Sequence, residues 1–253
     1  MRLLLSNDDG ILAHGLECLI AAAEPLGEVW VVAPDREQSA MSHSLTLHHP
    51  VRPVKRGERR WQIDGTPTDC VMIGIEALMP EKPDFVLSGI NHGQNMAEDV
   101  LYSGTVAAAM EGLALGVPSI AISFAGGDLR ADVTQLKQQI SVLTPLLRHL
   151  TALDPFPAFT LFNVNLPPLP GNRIKGGKLT RLGRRVYSNS LQKMQDAWGR
   201  QVYWIGGGEM VWSGEGDTDF KAIEDGYVSV TPLHLDLTNY DILGSQEKWW
   251  RDP

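Results

Sequence analysis

Leu3-Leu4-Leu5-Ser6-Asn7-Asp8-Asp9-Gly10 opens the chain with a short apolar run that ends in two adjacent carboxylates. Residues 3–6 read as a buried strand, which sets both charges at the C-terminal edge of a sheet. In open α/β folds that edge is where ligands bind. Neighbouring carboxylates repel one another, so the pair calls for a cation to neutralise it. Gly10 suits a tight turn towards the next helix. Taken alone, the segment also reads as an ordinary polar strand-to-helix turn, since Asn, Asp and Gly are common turn residues.

Beyond that segment, strand-like runs alternate with helical patterns for two-thirds of the chain. Leu16, Leu19, Ile20 and Ala23 recur at helical spacing and stop at Pro25. Residues 29–33 form a second strand closed by Pro34. Thr66-Pro67-Thr68-Asp69 predicts a helix start with a hydroxyl cap, the helix running towards Met79. Strands follow at 84–88, 119–123 and 160–164. Helices are expected at 105–115, stopped by Gly116 and Pro118, and at 133–150 with a kink at Pro145. The alternation predicts a doubly wound, mostly parallel, Rossmann-like sheet.

The last third changes character at Pro167-Pro168-Leu169-Pro170-Gly171. Residues 202–205 and 210–212 flank Gly206-Gly207-Gly208 and read as a hairpin. Asp217 is expected to cap a short helix ending near Gly226, and residues 227–231 form a last strand. With no second core evident, the chain reads as one domain. Residues 1–169 are the α/β core, and 170–253 are a C-terminal extended hairpin arm with a returning strand. Arg173, Lys175, Lys178, Arg181, Arg184 and Arg185 crowd together without an acid among them. Such a run is most often a solvated face or an interface, with polyanion contact as the alternative.

A chain of 253 residues with 43% hydrophobic and 21% charged residues suits a globular protein with a sizeable core. Its net charge of −8 argues against binding to nucleic acid duplexes, which rests on Lys and Arg neutralising phosphates. A small phosphate ligand is not excluded. Cys18 and Cys70 fall in helical segments and read as buried thiols rather than ligands or a disulfide. No run of 18 apolar residues occurs, and the N-terminus passes directly into a strand, so a cytoplasmic protein without membrane contact is expected.

Four segments follow strands or open a helix, so all can meet at one sheet edge. They are Asp8-Asp9, the loop 33–40, the loop 88–95 and Tyr102-Ser103-Gly104-Thr105. Together they make sense as a divalent-metal phosphate site. Mg²⁺ and Mn²⁺ prefer hard oxygen ligands. Two carboxylates supply charge, and a Ser hydroxyl and an Asn carbonyl add neutral oxygens. The helix opened by Ser103-Gly104-Thr105 offers N–H groups and a hydroxyl to a phosphate, with Gly104 allowing close approach. Singly, Ser39 reads as a surface hydroxyl, Asn91 as a turn residue, and Ser103 and Thr105 as plain caps. His43 and His92 lie near these loops, but a lone loop histidine is more often merely polar. Neither GxxxxGK[ST], a GxGxxG turn after the first strand, GxSxG nor HExxH occurs.

With these segments in hand, the chain closely resembles the SurE family, the stationary-phase survival proteins that act as metal-dependent nucleotidases. The matching text is Leu4-Leu5-Ser6-Asn7-Asp8-Asp9-Gly10, Val31-Val32-Ala33-Pro34-Asp35-Arg36 with Ser39, and Ser44-Leu45-Thr46-Leu47. It continues with Gly65-Thr66-Pro67-Thr68-Asp69-Cys70-Val71, Ser88-Gly89-Ile90-Asn91 and the run 101–112, and ends in 226–233. The resemblance implies one divalent ion, Mg²⁺ or Mn²⁺, held at positions matching Asp8, Asp9, Ser39 and Asn91. It places the phosphate near Asn95, Ser103, Gly104 and Thr105. It also implies a homodimer or homotetramer with the C-terminal excursion exchanged between subunits. One departure is Ala97, where relatives commonly carry Gly.

The expected activity is hydrolysis of nucleoside 5′- and 3′-monophosphates, with short-chain polyphosphate as a secondary substrate. Asp8 and Asp9 are then the catalytic carboxylates: they bind the ion, and one takes the proton of an attacking water. Carboxylate attack to give an aspartyl-phosphate is the alternative at the same site. Two other readings compete, an aspartate-nucleophile phosphatase and a receiver-like metal-dependent switch. The usual Asp-x-Asp spacing of the first is missing. The second would leave the last third of the chain unexplained.

Overall fold

The three leucines behind the acidic pair lie in β1 (Arg2–Ser6) and are fully buried, pointing alternately to opposite faces. Leu3 and Leu5 join one apolar cluster and Leu4 another. A strand buried on both faces requires helices above and below it, which is the doubly wound arrangement. The structure is a computed structural model and describes residues 1–126, 133–187, 191–205, 210–213 and 216–245.

After β1 come α1 (His14–Ala23), β2 (Glu28–Pro34), β3 (Pro53–Gly57), β4 (Arg60–Ile63) and α2 (Pro67–Ile73). Then follow β5 (Phe85–His92), α3 (Gly104–Ala114), β6 (Ser119–Phe124), α4 (Thr134–Thr151) and β7 (Thr160–Leu166). The remaining elements are β8 (Gly177–Leu179), β9 (Arg184–Tyr187), β10 (Leu191–Gln195), β11 (Gln201–Ile205), β12 (Met210–Ser213), α5 (Asp219–Glu224), β13 (Val228–His234) and α6 (Tyr240–Ser245). The main sheet has the order β3-β4-β2-β1-β5-β6-β7-β13-β8. Its centre is parallel, while β3 and β13 run antiparallel to β4 and β7. Residues of α1 and α4 pack with Leu3 and Leu5 on one face, and residues of α2 and α3 with Leu4 on the other.

Helix α2 starts as expected: Thr66 accepts from the Asp69 amide at 3.1 Å, and Asp69 returns the bond to the Thr66 amide at 2.8 Å. Cys18 and Cys70 are buried free thiols within α1 and α2. The helix expected at 133–150 continues through Pro145 as one element.

Three expectations are corrected. The edge hairpin β3–β4 was not foreseen, because β3 is mostly exposed and charged, and β4, with Trp61 and Ile63 two apart, is only four residues long. Residues 202–205 and 210–212 do not pair with each other. Strand β11 pairs with β10 and β12 with β9, so the excursion holds two nested antiparallel pairs. Its tip is the turn after β10, where Asp196 accepts from the Trp198 and Arg200 amides, both at 2.9 Å. The glycine run 206–208, expected to be the turn, lies outside the described residues. Finally, Thr218 rather than Asp217 holds the cap position of α5, and β8 and β13 rejoin the main sheet.

Candidate active site

The loop after β1 is stapled by its own side chains. Asn7 donates to the Gly10 carbonyl at 3.0 Å and accepts from the Gly10 amide at 3.2 Å, with Gly10 at φ +97°. This turn fixes Asp8 and Asp9 at the C-terminal edge of β1. Asp8 is 4% exposed and the Asp9 side chain 6%. Burial and the neighbouring Asp9 charge raise the Asp8 carboxyl to about 6, although bonds from Thr105 pull the other way.

Helix α3 presses its first turn onto Asp8. The Thr105 hydroxyl is fully buried and donates to Asp8 Oδ1 in a short hydrogen bond. A Cβ built on Gly104 would lie 2.8 Å from Asp8 Cβ and 2.9 Å from Oδ2. The close approach that Gly104 permits is thus first of all to the Asp8 carboxylate. Ser103 caps the helix, accepting from the Val106 amide at 3.1 Å.

Strand β5 runs past the expected end at residue 88 and reaches His92 by a register shift between Ser88 and Asn91. Such a bulge re-aims side chains, and these are common beside active sites. Gly89 is required there, because at φ +135° a Cβ would sit 2.1 Å from the Ile122 carbonyl. Beyond the bulge, the Asn91 amide nitrogen bonds the Gly93 carbonyl at 2.8 Å, so its carbonyl oxygen is the atom available to a ligand. The His92 amide donates to Asp9 Oδ2 at 3.1 Å, and its ring Nδ1 lies 3.5 Å from Asp9 Oδ1.

Asp8, Ser39, Asn91, Asn95, Ser103 and Arg185 line one cavity of about 330 Å³. Asp9 lines a neighbouring cavity, and His92 borders both. The exposed Ser39 hydroxyl donates to Glu37 at 2.8 Å. Asn95 is held by β6 and β7: its side-chain Nδ2 donates to Ser123 at 2.9 Å, and its backbone carbonyl accepts from Asn163 and Asn165 at 2.8 and 3.0 Å. His43 instead pairs with the buried Glu111 at 2.8 Å.

The sequence reading missed Asn163 and Asn165, and it named Arg185 only as one of a basic run. A signal existed for the first two, since they sit two apart in the apolar run of β7 and so share one face. At Ala97, the departure from the family pattern, the backbone has φ +51°. Its amide is fixed by Asp219 at 2.8 Å.

The donor set suits a hard divalent cation: two buried carboxylates beside an amide carbonyl and a hydroxyl. Among the described residues, no group of three or more His, Cys, Asp or Glu is placed to hold a metal. An ion here would therefore depend on the neutral oxygens as well.

The family model described as "Survival protein SurE" matches residues 3–189. The chain belongs to the SurE family. A 5′-nucleotidase SurE of Gemmatimonas aurantiaca is 68% identical over 253 residues, covering all of both chains. A 5′-nucleotidase SurE of Vibrio cholerae serotype O1 is 47% identical over 254 residues, covering 100% of this chain and 98% of the other. Among solved structures, the SurE protein from Aquifex aeolicus superposes with a TM-score of 0.86 at 44% identity, covering 97% of this chain and 98% of that one. The SurE match thus spans the carboxylate turn, the bulged strand, the α3 start and the root of the arm. No helix among the described residues is long and apolar enough to cross a membrane.

Proposed function

We propose that this SurE-family chain is a metal-dependent 5′-nucleotidase. It releases phosphate from nucleoside 5′- and 3′-monophosphates, with short-chain polyphosphate as a secondary substrate. The observation that carries the reading is the buried Asp8–Asp9 pair facing Asn91, Ser39, Asn95 and Ser103 across adjoining cavities.

Asp8, Asp9, Asn91 and Ser39 would hold one Mg²⁺ or Mn²⁺ per subunit. When bound, the cation neutralises the carboxylate pair and polarises the phosphoryl group. Thr105 and the α3 turn keep Asp8 in place. The Ser103 hydroxyl and the Asn95 amide orient phosphoryl oxygens, and one of the two aspartates takes a proton from the attacking water.

An aspartate-nucleophile phosphatase and a receiver-like switch are not favoured. The acids are adjacent rather than Asp-x-Asp, and the chain matches named nucleotidases along its whole length.

The reading includes a homodimer or homotetramer that exchanges the arm within residues 170–253, built on the 1–169 core. It is supported by the exposed apolar side chains of the β10–β11 ribbon, among them Trp198, Tyr203, Trp204 and Ile205. The buried free thiols suit a reducing, cytoplasmic compartment. A phosphate-release screen over nucleotides, sugar phosphates and polyphosphate, with Mg²⁺, Mn²⁺ or chelator, tests the function. Nucleoside monophosphates should turn over fastest, and chelator should abolish turnover. Full activity in dialysed, chelated enzyme would sink the metal reading.

A further inference from the structure

Of the six basic residues between 173 and 185, five lie on the surface. Arg181 pairs with Asp217 at 3.1 Å, and Lys175 and Lys178 lie over the Tyr227 ring. Arg173 and Arg184 are exposed. Arg185 is different. Its side chain is 17% exposed and lines the cavity that holds Asp8, Asn91, Asn95 and Ser103.

Arg185 belongs to β9, the first strand of the arm, and is fixed from several directions. Its amide donates to Glu98 at 2.6 Å, and its guanidinium forms an ion pair with Asp99. The guanidinium carbon lies 5.8 Å from the Trp212 ring centre, and Trp212 stacks on Phe220 at 5.7 Å. Two residues earlier, the Gly183 amide donates to the buried Asp219, which also binds the Ala97 amide. The root of the arm is thus docked on the turn that precedes the start of α3.

A guanidinium is planar, permanently charged and matched to phosphate oxygens. Held between a carboxylate and an aromatic face, it loses little side-chain entropy when an anion arrives. The cavity otherwise carries Asp8 and Asp99 as charged groups, with His92 at its border. Among the described residues lining that cavity, Arg185 is the one Lys or Arg, so it is the group there that can meet a dianionic phosphate beside the metal.

We propose that Arg185 is a substrate-binding residue that anchors the phosphate of the nucleotide from the arm side of the cavity, with Asp99 positioning it. This rests on the nucleotidase reading of the same site. It predicts that substrate affinity depends on the root of the arm, while metal affinity does not.

The test uses full-length, Mn²⁺-loaded protein and the variants Arg185→Gln, Arg185→Lys and Asp99→Asn. Three quantities are measured: KM for a nucleoside 5′-monophosphate, Ki for inorganic phosphate, and calorimetric Mn²⁺ affinity without substrate. Arg185→Gln should raise KM and Ki about tenfold or more, the scale of one charge-assisted hydrogen bond, with Mn²⁺ affinity unchanged. Arg185→Lys should fall between. Asp99→Asn, which loosens the arginine's anchor, should raise KM and Ki by less than Arg185→Gln does, again with Mn²⁺ affinity unchanged.

A folded Arg185→Gln with wild-type KM and Ki overturns the proposal. So does a matched rise for Arg185→Gln and Asp99→Asn accompanied by lost Mn²⁺ affinity and melting temperature, which marks a structural pair. Should Arg185→Gln not fold, Arg185→Lys with wild-type Ki overturns it as well. If the wild type hydrolyses no nucleotide, the nucleotidase reading fails on its own. Calorimetric phosphate binding to wild type and variant then still decides the role of Arg185.

Discussion

Gly104→Ala is the sharpest perturbation of the metal end of the site. The added Cβ would stand 2.8 Å from Asp8 Cβ, 2.9 Å from Oδ2 and 3.2 Å from Cγ. Unstrained contacts between carbon atoms begin near about 3.5 Å, so the Asp8 carboxyl or the start of α3 must shift by roughly 0.7 Å. Overpacking of this kind costs about 1–3 kcal/mol of stability. Displacing a reacting or ligating group by about 1 Å costs on the order of 10²-fold in rate. The variant should therefore fold, bind Mn²⁺ about 10- to 100-fold more weakly and lose kcat on the same scale. Calorimetry of Mn²⁺ binding beside steady-state phosphate release reads both. Gly177→Ala is the control, since its Cβ would meet nothing within 4 Å. Wild-type Mn²⁺ affinity in Gly104→Ala, with only KM raised, would refute the reasoning and return Gly104 to the phosphate.

Three further outcomes are expected. In the unfolded chain Asp8 titrates near 3.8 and in the metal-free fold near 6, so between these values only the unfolded carboxyl is ionised. Its contribution to stability is present at low pH and lost as pH rises through about 6, a change of about 3 kcal/mol. Chelated Asp8→Asn should hence be more stable than chelated wild type at pH 7.5 and lose that advantage near pH 4. Urea titrations giving one difference at both pH values would contradict this. Leu4→Ala should destabilise by about 2–5 kcal/mol in urea melts, because Leu4 is fully buried against α2-side residues. Removing residues 191–205 should give a smaller assembly by light scattering, and an unchanged mass would count against the exchanged arm.

Much of this architecture is legible in the chain because burial on both faces leaves a strong pattern. Leu3-Leu4-Leu5 against Asp8-Asp9 marks a central strand and its functional edge, and Thr66 to Asp69 marks a helix start by its reciprocal cap. The hairpin β3–β4 leaves a weaker trace, since β3 lies mostly exposed at the sheet edge and β4 offers only Trp61 and Ile63 in four residues. The ribbon is misread because β11 turns back onto β10 and β12 pairs with β9, while the tip is set by Asp196 bonding its own backbone.

At the site, the acidic pair and the segments that carry Ser39, Asn91, Asn95 and Ser103 were legible from strand ends and a helix start, while the individual ligands were implied by the resemblance to the SurE family. The fold brings these residues to adjoining cavities. What Thr105 touches could not be named. A hydroxyl opening a helix looks the same whether it faces a phosphate or, as here, donates to Asp8 across 97 residues of sequence. Arg185 was hidden for a similar reason: a run of basic residues does not reveal which one turns inward.

The central claim is that the adjacent carboxylates and their neutral neighbours form a divalent-metal centre. Anomalous diffraction from crystals soaked in Mn²⁺ tests it most directly. One strong peak per subunit is predicted among the oxygens of Asp8, Asp9, Ser39 and Asn91, and it should vanish in crystals of Asp9→Asn. Active enzyme whose only Mn²⁺ peak lies away from Asp8 and Asp9 would contradict the account.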